Sequence, residues 1–164
     1  MPQTNYGYQV PRGVPGGLLD LSNHNIVSRT NGEDGAGLLR FGMGVVQGGN
    51  PGKDVAVPDD SATAAVFEGI VQAGGTTEHQ HISGGVALHP GVTVGVLNQG
   101  SIWALVEEDA EPAYGDPLYL IIDGDDAGLF TNDDDDTLAL RGRFLGPKDN
   151  GIAPVELFSG SAQA

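Results

Sequence analysis

Cysteine is absent from this 164-residue chain, and basic residues are scarce. Without cysteine the chain has no disulfide, no thiolate nucleophile and no Cys-based zinc site. Lys and Arg number 7 against 22 Asp and Glu, which gives a formal net charge of -15. A chain with so few cations has no basic footprint for neutralising phosphates, so we expect no nucleic-acid partner and no docking on anionic membranes.

Long apolar runs are missing as well. The longest fully apolar stretches, such as 118–122, fall far short of the roughly 20 residues that a membrane-spanning helix needs. The first ten residues, MPQTNYGYQV, have neither a basic start nor an apolar core, so no secretory signal is expected. These absences favour synthesis inside a cell.

Glycine is abundant instead, with 27 residues, and with Pro, Asn and Asp it divides the chain into short β-type runs. Runs at such spacing predict an all-β fold, a small β-barrel or sandwich of about eight to nine short strands within 38–164. The predicted strands are 38–46, 54–57, 65–71, 79–82, 93–97, 102–107, 117–122, 138–145 and 153–158. The run VTVGVLNQGSIWALV predicts a hairpin with Asn98, Gln99 and Gly100 at its tip.

Residues 1–37 differ from the rest of the chain. Three prolines and several glycines interrupt this stretch, and no helical or alternating apolar period is sustained. It has too many apolar residues for a solvated linker, so we predict an extended N-terminal arm followed by a connecting segment. The arm docks either on a partner or on its own domain. The candidate contact residues are Tyr6, Tyr8, Val10, Val14, Leu18 and Leu19.

His79 and His81 are the first candidates for metal chemistry, because alternate residues of a strand point to the same face. The first cupin motif would need a glycine where the chain has Ala73. It would also need a glutamate where the chain has Gly85 or Val86. Because these positions of the motif fail, we predict no metal or other cofactor. A cupin-like metal-binding β protein centred on the two histidines stays the alternative.

The aspartates of 123–136 are the second candidates, since alternating carboxylates before a glycine resemble a calcium loop. On the EF-hand template that starts at Asp123, the fifth position is Ala127 and the twelfth is Asp134. A solvated acidic loop explains the run more simply.

Catalytic motifs are missing from the sequence. It contains no G-x-S-x-G elbow and no phosphate-binding glycine loop, so a non-enzymatic protein is expected. A carbohydrate-binding module is a further alternative, with Trp103 and Tyr119 as stacking residues, although packing roles suit both better.

An ordered set of segments resembles the structural cement, or decoration, proteins of tailed bacteriophage capsids. The segments are 39–46 (LRFGMGVV), 67–70 (FEGI), 92–97 (VTVGVL), 100–106 (GSIWALV), 114–120 (YGDPLYL) and 140–145 (LRGRFL). The resemblance implies a β-rich homotrimer made in the host cytoplasm and bound to the outside of the head. There it would bridge neighbouring major capsid protein subunits, with no catalytic residues.

Overall fold

The computed structural model describes residues 13–33, 38–74, 79–82 and 85–158, with the side chains of 79–82 and 85 outside the description. The strands are β1 (Asn25–Asn31), β2 (Gly44–Gln47), β3 (Asp54–Ala56), β4 (Phe67–Gln72), β5 (His79–Ile82), β6 (Gly85–Leu88), β7 (Thr93–Leu105), β8 (Pro117–Ile121), β9 (Phe130–Thr131), β10 (Thr137–Phe144) and β11 (Ile152–Leu157). One 3₁₀ turn, Ala64–Val66, precedes β4. The prediction of an all-β fold is confirmed.

Five strands close into a small barrel. Its hydrogen-bonded order is β1-β3-β2-β4-β7, and β7 also pairs with β1, so the ring has no free edge. Only the β1–β3 pair is parallel in this ring. We call the part formed by β1–β4 and residues 93–97 of β7 the barrel lobe.

β7 leaves the barrel and becomes part of a second sheet. Residues 100–105 of β7 pair with β11, and the order continues through β10 and β8 to β9. A parallel bridge between Val106 and Phe130 brings β9 back beside the end of β7. We call the part formed by residues 100–105 of β7 and by β8–β11 the sheet lobe.

The predicted hairpin at Asn98, Gln99 and Gly100 is wrong, because β7 runs unbroken through all three residues. Gln99 pairs with Asn25, next to a register shift in β1. Gly100 has a φ of 120°, where a side chain is strained. Here the glycine marks the bend at which one strand passes between two sheets, a role that shares its sequence signal with a turn.

Three strands were not predicted: β1, β6 and β9. β1 has the sequence NIVSRTN and lies in the stretch assigned to the arm and its connecting segment. Its position is fixed by backbone pairing with residues 93–99 of β7, so its side chains need no strict apolar alternation.

The described residues form two buried clusters. The cluster centred on the barrel lobe is aliphatic and consists of Leu39, Val45, Val55, Val71, Leu88, Val94 and Val96. The larger cluster lies mainly in the sheet lobe, also takes in Ile70 and Leu97 from the barrel lobe, and includes two fully buried aromatic rings, Phe130 and Phe144. Across the described ranges, the structure contains no helix with the length and apolar character that crossing a bilayer requires.

Candidate functional site

The predicted contact residues are divided between the described and undescribed parts of the chain. Tyr6, Tyr8 and Val10 lie outside the described residues. Val14 is 59% exposed. Leu18 and Leu19 are half-buried, and Leu18 packs against the core of its own sheet lobe. Within the described members of the set, Val14 is therefore the side chain most available to a partner.

Residues 16–19 lie along β7 as an added strand. The amide of Gly16 donates to the carbonyl of Trp103 at 2.8 Å, and the amide of Trp103 donates to the carbonyl of Gly17 at 2.9 Å. The amide of Leu19 donates to the carbonyl of Ser101 at 3.1 Å. This ladder holds residues 16–19 against the sheet lobe.

Gly13 lies on the indole ring of Trp103. A Cβ built at Gly13 would come within 2.2 Å of the ring atoms Cδ2 and Cε2, so only glycine permits this approach. Trp103 is half-buried, and so is Tyr119. Because backbone already covers part of the indole face, the geometry favours packing over carbohydrate stacking for Trp103.

An Asx turn follows this segment. The side-chain hydroxyl and the backbone amide of Ser22 both donate to one carboxylate oxygen of Asp20. These hydrogen bonds, the hydroxyl first, lower the pKa of Asp20 below its ordinary value. The turn leads the chain toward the start of β1.

An apolar groove opens beside the same segment. Its volume is about 370 Å³. Its walls are formed by Val14, Pro15, Arg40, Phe41, Ala73, Val86 and Leu105. Its lining combines Val14 and Pro15 of the N-terminal segment, by which we mean residues 1–19, with Leu105 of the sheet lobe and with residues that precede β2 and follow β4. The predicted contact residue Val14 therefore belongs to a larger apolar surface.

The aspartate-rich end of the sheet lobe comprises Asp123, Asp125, Asp126 and Asp133–Asp136, all exposed. Carboxylate oxygens of Asp133, Asp134 and Asp135 lie within 4.8 Å of one another. An adjoining hollow of about 390 Å³ also takes in Glu107 and Thr131. Exposed carboxylates remain hydrated, and this arrangement is that of a solvated acidic loop.

His79 and His81 lie in β5 as predicted, but their side chains are outside the described part. β5 pairs with β6 in a separate two-stranded sheet. His89 follows β6 and is half-buried, and its carbonyl accepts a hydrogen bond from the Asn31 side chain at 3.1 Å. That contact connects the β6–β7 turn to the barrel lobe.

A cluster that sequence reasoning missed surrounds Arg143 on β10. The guanidinium carbon lies 5.4 Å from the centroid of the Tyr114 ring and 6.0 Å from that of Phe158. Its Nε donates to Oε2 of Glu156 at 3.1 Å. These four residues form what we call the arginine–aromatic cluster. They come from three separate stretches of chain, so local pattern gave no signal for the cluster.

Comparison with known protein families decides the identity. A family model described as "Structural cement protein (E217 gp24/Pam3 gp6)" matches residues 1–158. This chain belongs to the structural cement protein family. The matched range includes residues 1–12 and so covers the whole set of predicted contact residues.

A solved structure supports the fold of this cement protein. A chain in "The capsid of Myoviridae Phage XM1" superposes with a TM-score of 0.70 at 22% sequence identity. The similarity covers 96% of this chain and 97% of that chain. No curated protein matches the sequence.

The family match defines a coarse role. The cement protein is a structural component of a bacteriophage capsid and is located in the virion capsid. That role requires surfaces that contact other capsid proteins, and the structure offers three candidates. They are the N-terminal segment with its apolar groove, the aspartate-rich end and the arginine–aromatic cluster.

Proposed function

We propose that this cement protein binds the outer surface of the phage head and bridges neighbouring major capsid protein subunits without catalysing a reaction. The observation that carries the proposal is the family match over residues 1–158, which includes the N-terminal segment as well as the β-rich body. In the proposal the protein is made in the host cytoplasm and acts as a homotrimer.

The N-terminal segment is the proposed attachment element. Tyr6, Tyr8, Val10 and Val14 would contact the capsid, whereas Leu18 and Leu19 would fix the segment to its own sheet lobe. The hydrogen-bonded ladder of residues 16–19 on β7 supports this division, since it holds the base of the segment in place. A base that is already ordered lowers the conformational entropy lost when the preceding residues bind.

The acidic surface suits an external position. A net charge of -15 keeps exposed faces soluble and is unfavourable for contact with packaged DNA. Linking several copies raises the effective concentration of each contact, so individually weak attachments stabilise a shell together. Homotrimers would gain from this effect.

The test uses the full-length protein added to cement-free heads. We expect the triple variant Tyr6→Ser/Tyr8→Ser/Val10→Ser to lose head occupancy at least tenfold, since burying one large apolar side chain gives about 1.5–3 kcal/mol. The matched control is Leu21→Ser, which removes a side chain that is 90% exposed and outside the contact set.

Occupancy is measured by co-sedimentation, and circular dichroism verifies that each variant keeps its β-fold. If the triple variant binds like the control, the N-terminal segment is not the attachment element. If the unaltered protein fails to sediment with the heads, the proposed capsid attachment is wrong.

A further inference from the structure

The arginine–aromatic cluster has the composition of a protein-binding surface. Tyr114 is 67% exposed and Phe158 is 41% exposed, and the two rings flank the Arg143 guanidinium. Tyr and Arg are enriched among the residues that contribute most to protein–protein binding. Here the rings and Glu156 hold the arginine in place before any partner arrives, so little side-chain entropy remains to be lost on binding.

Two guanidinium groups lie on β10 at this cluster. No Lys or Arg occurs between Lys53 and Arg141, whereas Arg141 and Arg143 both belong to β10. Lys148 lies elsewhere, since its ammonium group donates to the carbonyls of Glu107 and Glu108. Arg141 and Arg143 occupy alternate positions of β10 and so share one face of the strand. The cluster therefore presents two guanidinium groups, one of them paired with Glu156, on a strongly acidic protein.

The aspartate-rich end lies at the opposite end of the same strands. Pro117, the first residue of β8, pairs with Arg143, and Ile121, the last residue, pairs with Thr137. The five residues of β8 separate the two regions by about 13 Å. Asp123 follows β8 closely, and Asp133–Asp136 immediately precede β10. The sheet lobe is thus polarised along its strands.

We propose that the arginine–aromatic cluster of one cement protein docks on the aspartate-rich end of a second copy. This inference rests on the proposed function, because it supplies the contact that holds the homotrimer together. The two surfaces differ, so the contact is head-to-tail and leaves one surface of each kind unused in a pair. A third copy that uses both closes a ring.

Charge complementarity favours a second copy as the occupant. A guanidinium has five N–H donors, and Glu156 is bonded to Nε, so donors remain for a second carboxylate. Hydrogen bonds between guanidinium and carboxylate groups are charge-assisted and short. The incoming cation also relieves repulsion among the seven clustered aspartates of its partner, a gain that added salt would weaken.

The test is a charge-reversal experiment on the full-length protein, followed by sedimentation equilibrium. We expect Arg143→Glu alone, and Asp133→Lys/Asp135→Lys alone, each to weaken self-association at least tenfold. Mixed in equal amounts they should form a heterodimer, because each variant keeps the one surface that the other has lost. Asp60→Lys changes an exposed aspartate that belongs to neither surface and should assemble like the unaltered protein.

A neutral substitution guards against misfolding. Tyr114→Ser removes an exposed ring without changing charge, and we expect it to weaken assembly several-fold while circular dichroism stays unchanged. Self-association of the unaltered protein should also weaken in 0.5 M salt, roughly the range in which exposed charges are strongly screened.

Three results would overturn the inference: an unaltered protein that stays monomeric, an Arg143→Glu variant that assembles normally, or a mixture that yields no heterodimer. Binding to cement-free heads is measured separately. A protein that assembles through this contact but ignores the heads would refute the proposed function and leave the contact intact. A protein that binds heads as a monomer would refute the contact and the homotrimer but leave the proposed capsid attachment intact.

Discussion

The two lobes share one strand but are closed in different ways. In the barrel lobe every strand is paired on both sides, so backbone hydrogen bonds complete the ring. In the sheet lobe the return contact is a single bridge between Val106 and Phe130. Side-chain packing must therefore contribute more to the closure of the sheet lobe.

The cores reflect this difference. Five of the seven residues in the barrel cluster are valines, and none is aromatic. A five-stranded ring encloses little space, and small β-branched residues fill it without strain. The sheet lobe buries Phe130 and Phe144 completely, together with a longer set of aliphatic residues. The comparison shows that where backbone pairing is incomplete, large side chains fill the gap.

The largest loss of stability is expected from a substitution in the sheet lobe. Phe144→Ala removes a fully buried ring and should lower the free energy of unfolding by about 3–5 kcal/mol. Val96→Ala in the barrel lobe removes two methyl groups and should cost about 2 kcal/mol. Urea denaturation, followed by circular dichroism and by the fluorescence of Trp103, measures both.

Because β7 belongs to both lobes, we expect each variant to unfold in one transition with coincident probes. Equal costs for the two substitutions would contradict the view that the sheet lobe depends more on side-chain packing. Separate transitions would show that the lobes are independent units.

Sequence reasoning succeeded where the signal was local. Strands β3, β5 and β8 begin where predicted, because Pro, Gly, Asn and Asp mark their flanks. It failed where partners are distant in the chain. β1 is specified by pairing with residues 93–99, and Arg143 gains its role from Tyr114 and Phe158, which lie far apart in sequence. Alternation along a single strand carries no information about either.

The next largest loss of stability is expected from a substitution at the junction between the lobes. Gly100 has a φ of 120°, and a Cβ there would lie 2.6 Å from Cβ of His24. We expect Gly100→Ala to cost about 1–3 kcal/mol from backbone strain, with a further cost from the steric clash. Urea denaturation measures the loss.

Gly91→Ala is the matched control, since Gly91 has a φ of 80° and open space around its Cα. It carries the strain without the clash, so Gly100→Ala should cost more. If the two variants lose the same stability, the His24 side chain moves away from the added methyl group without cost, and the junction is not tightly packed.

The smallest effect concerns a charged turn in the barrel lobe. The side-chain and backbone N–H groups of Asn50 donate to the two carboxylate oxygens of Asp54, at 2.9 and 2.7 Å, and lower the pKa of Asp54 below 3.8. A carboxyl whose pKa is lower in the folded state stabilises the fold above its unfolded pKa, and this contribution is lost as pH falls through the folded value. Asp54→Asn should therefore flatten the decline in stability below about pH 4.

The measurement is urea denaturation of the unaltered protein and of Asp54→Asn between pH 2 and 6. Asp20 and Asp59 also have lowered pKa values and titrate in the same range, so the difference between the two proteins isolates Asp54. Asp54 is only half-buried, so screening by solvent keeps the expected difference small. Asp59→Asn is the control, because its carboxylate instead holds Ser61 in a separate turn. A pH dependence that Asp54→Asn leaves unchanged would mean that the Asn50 contacts contribute nothing to the barrel lobe.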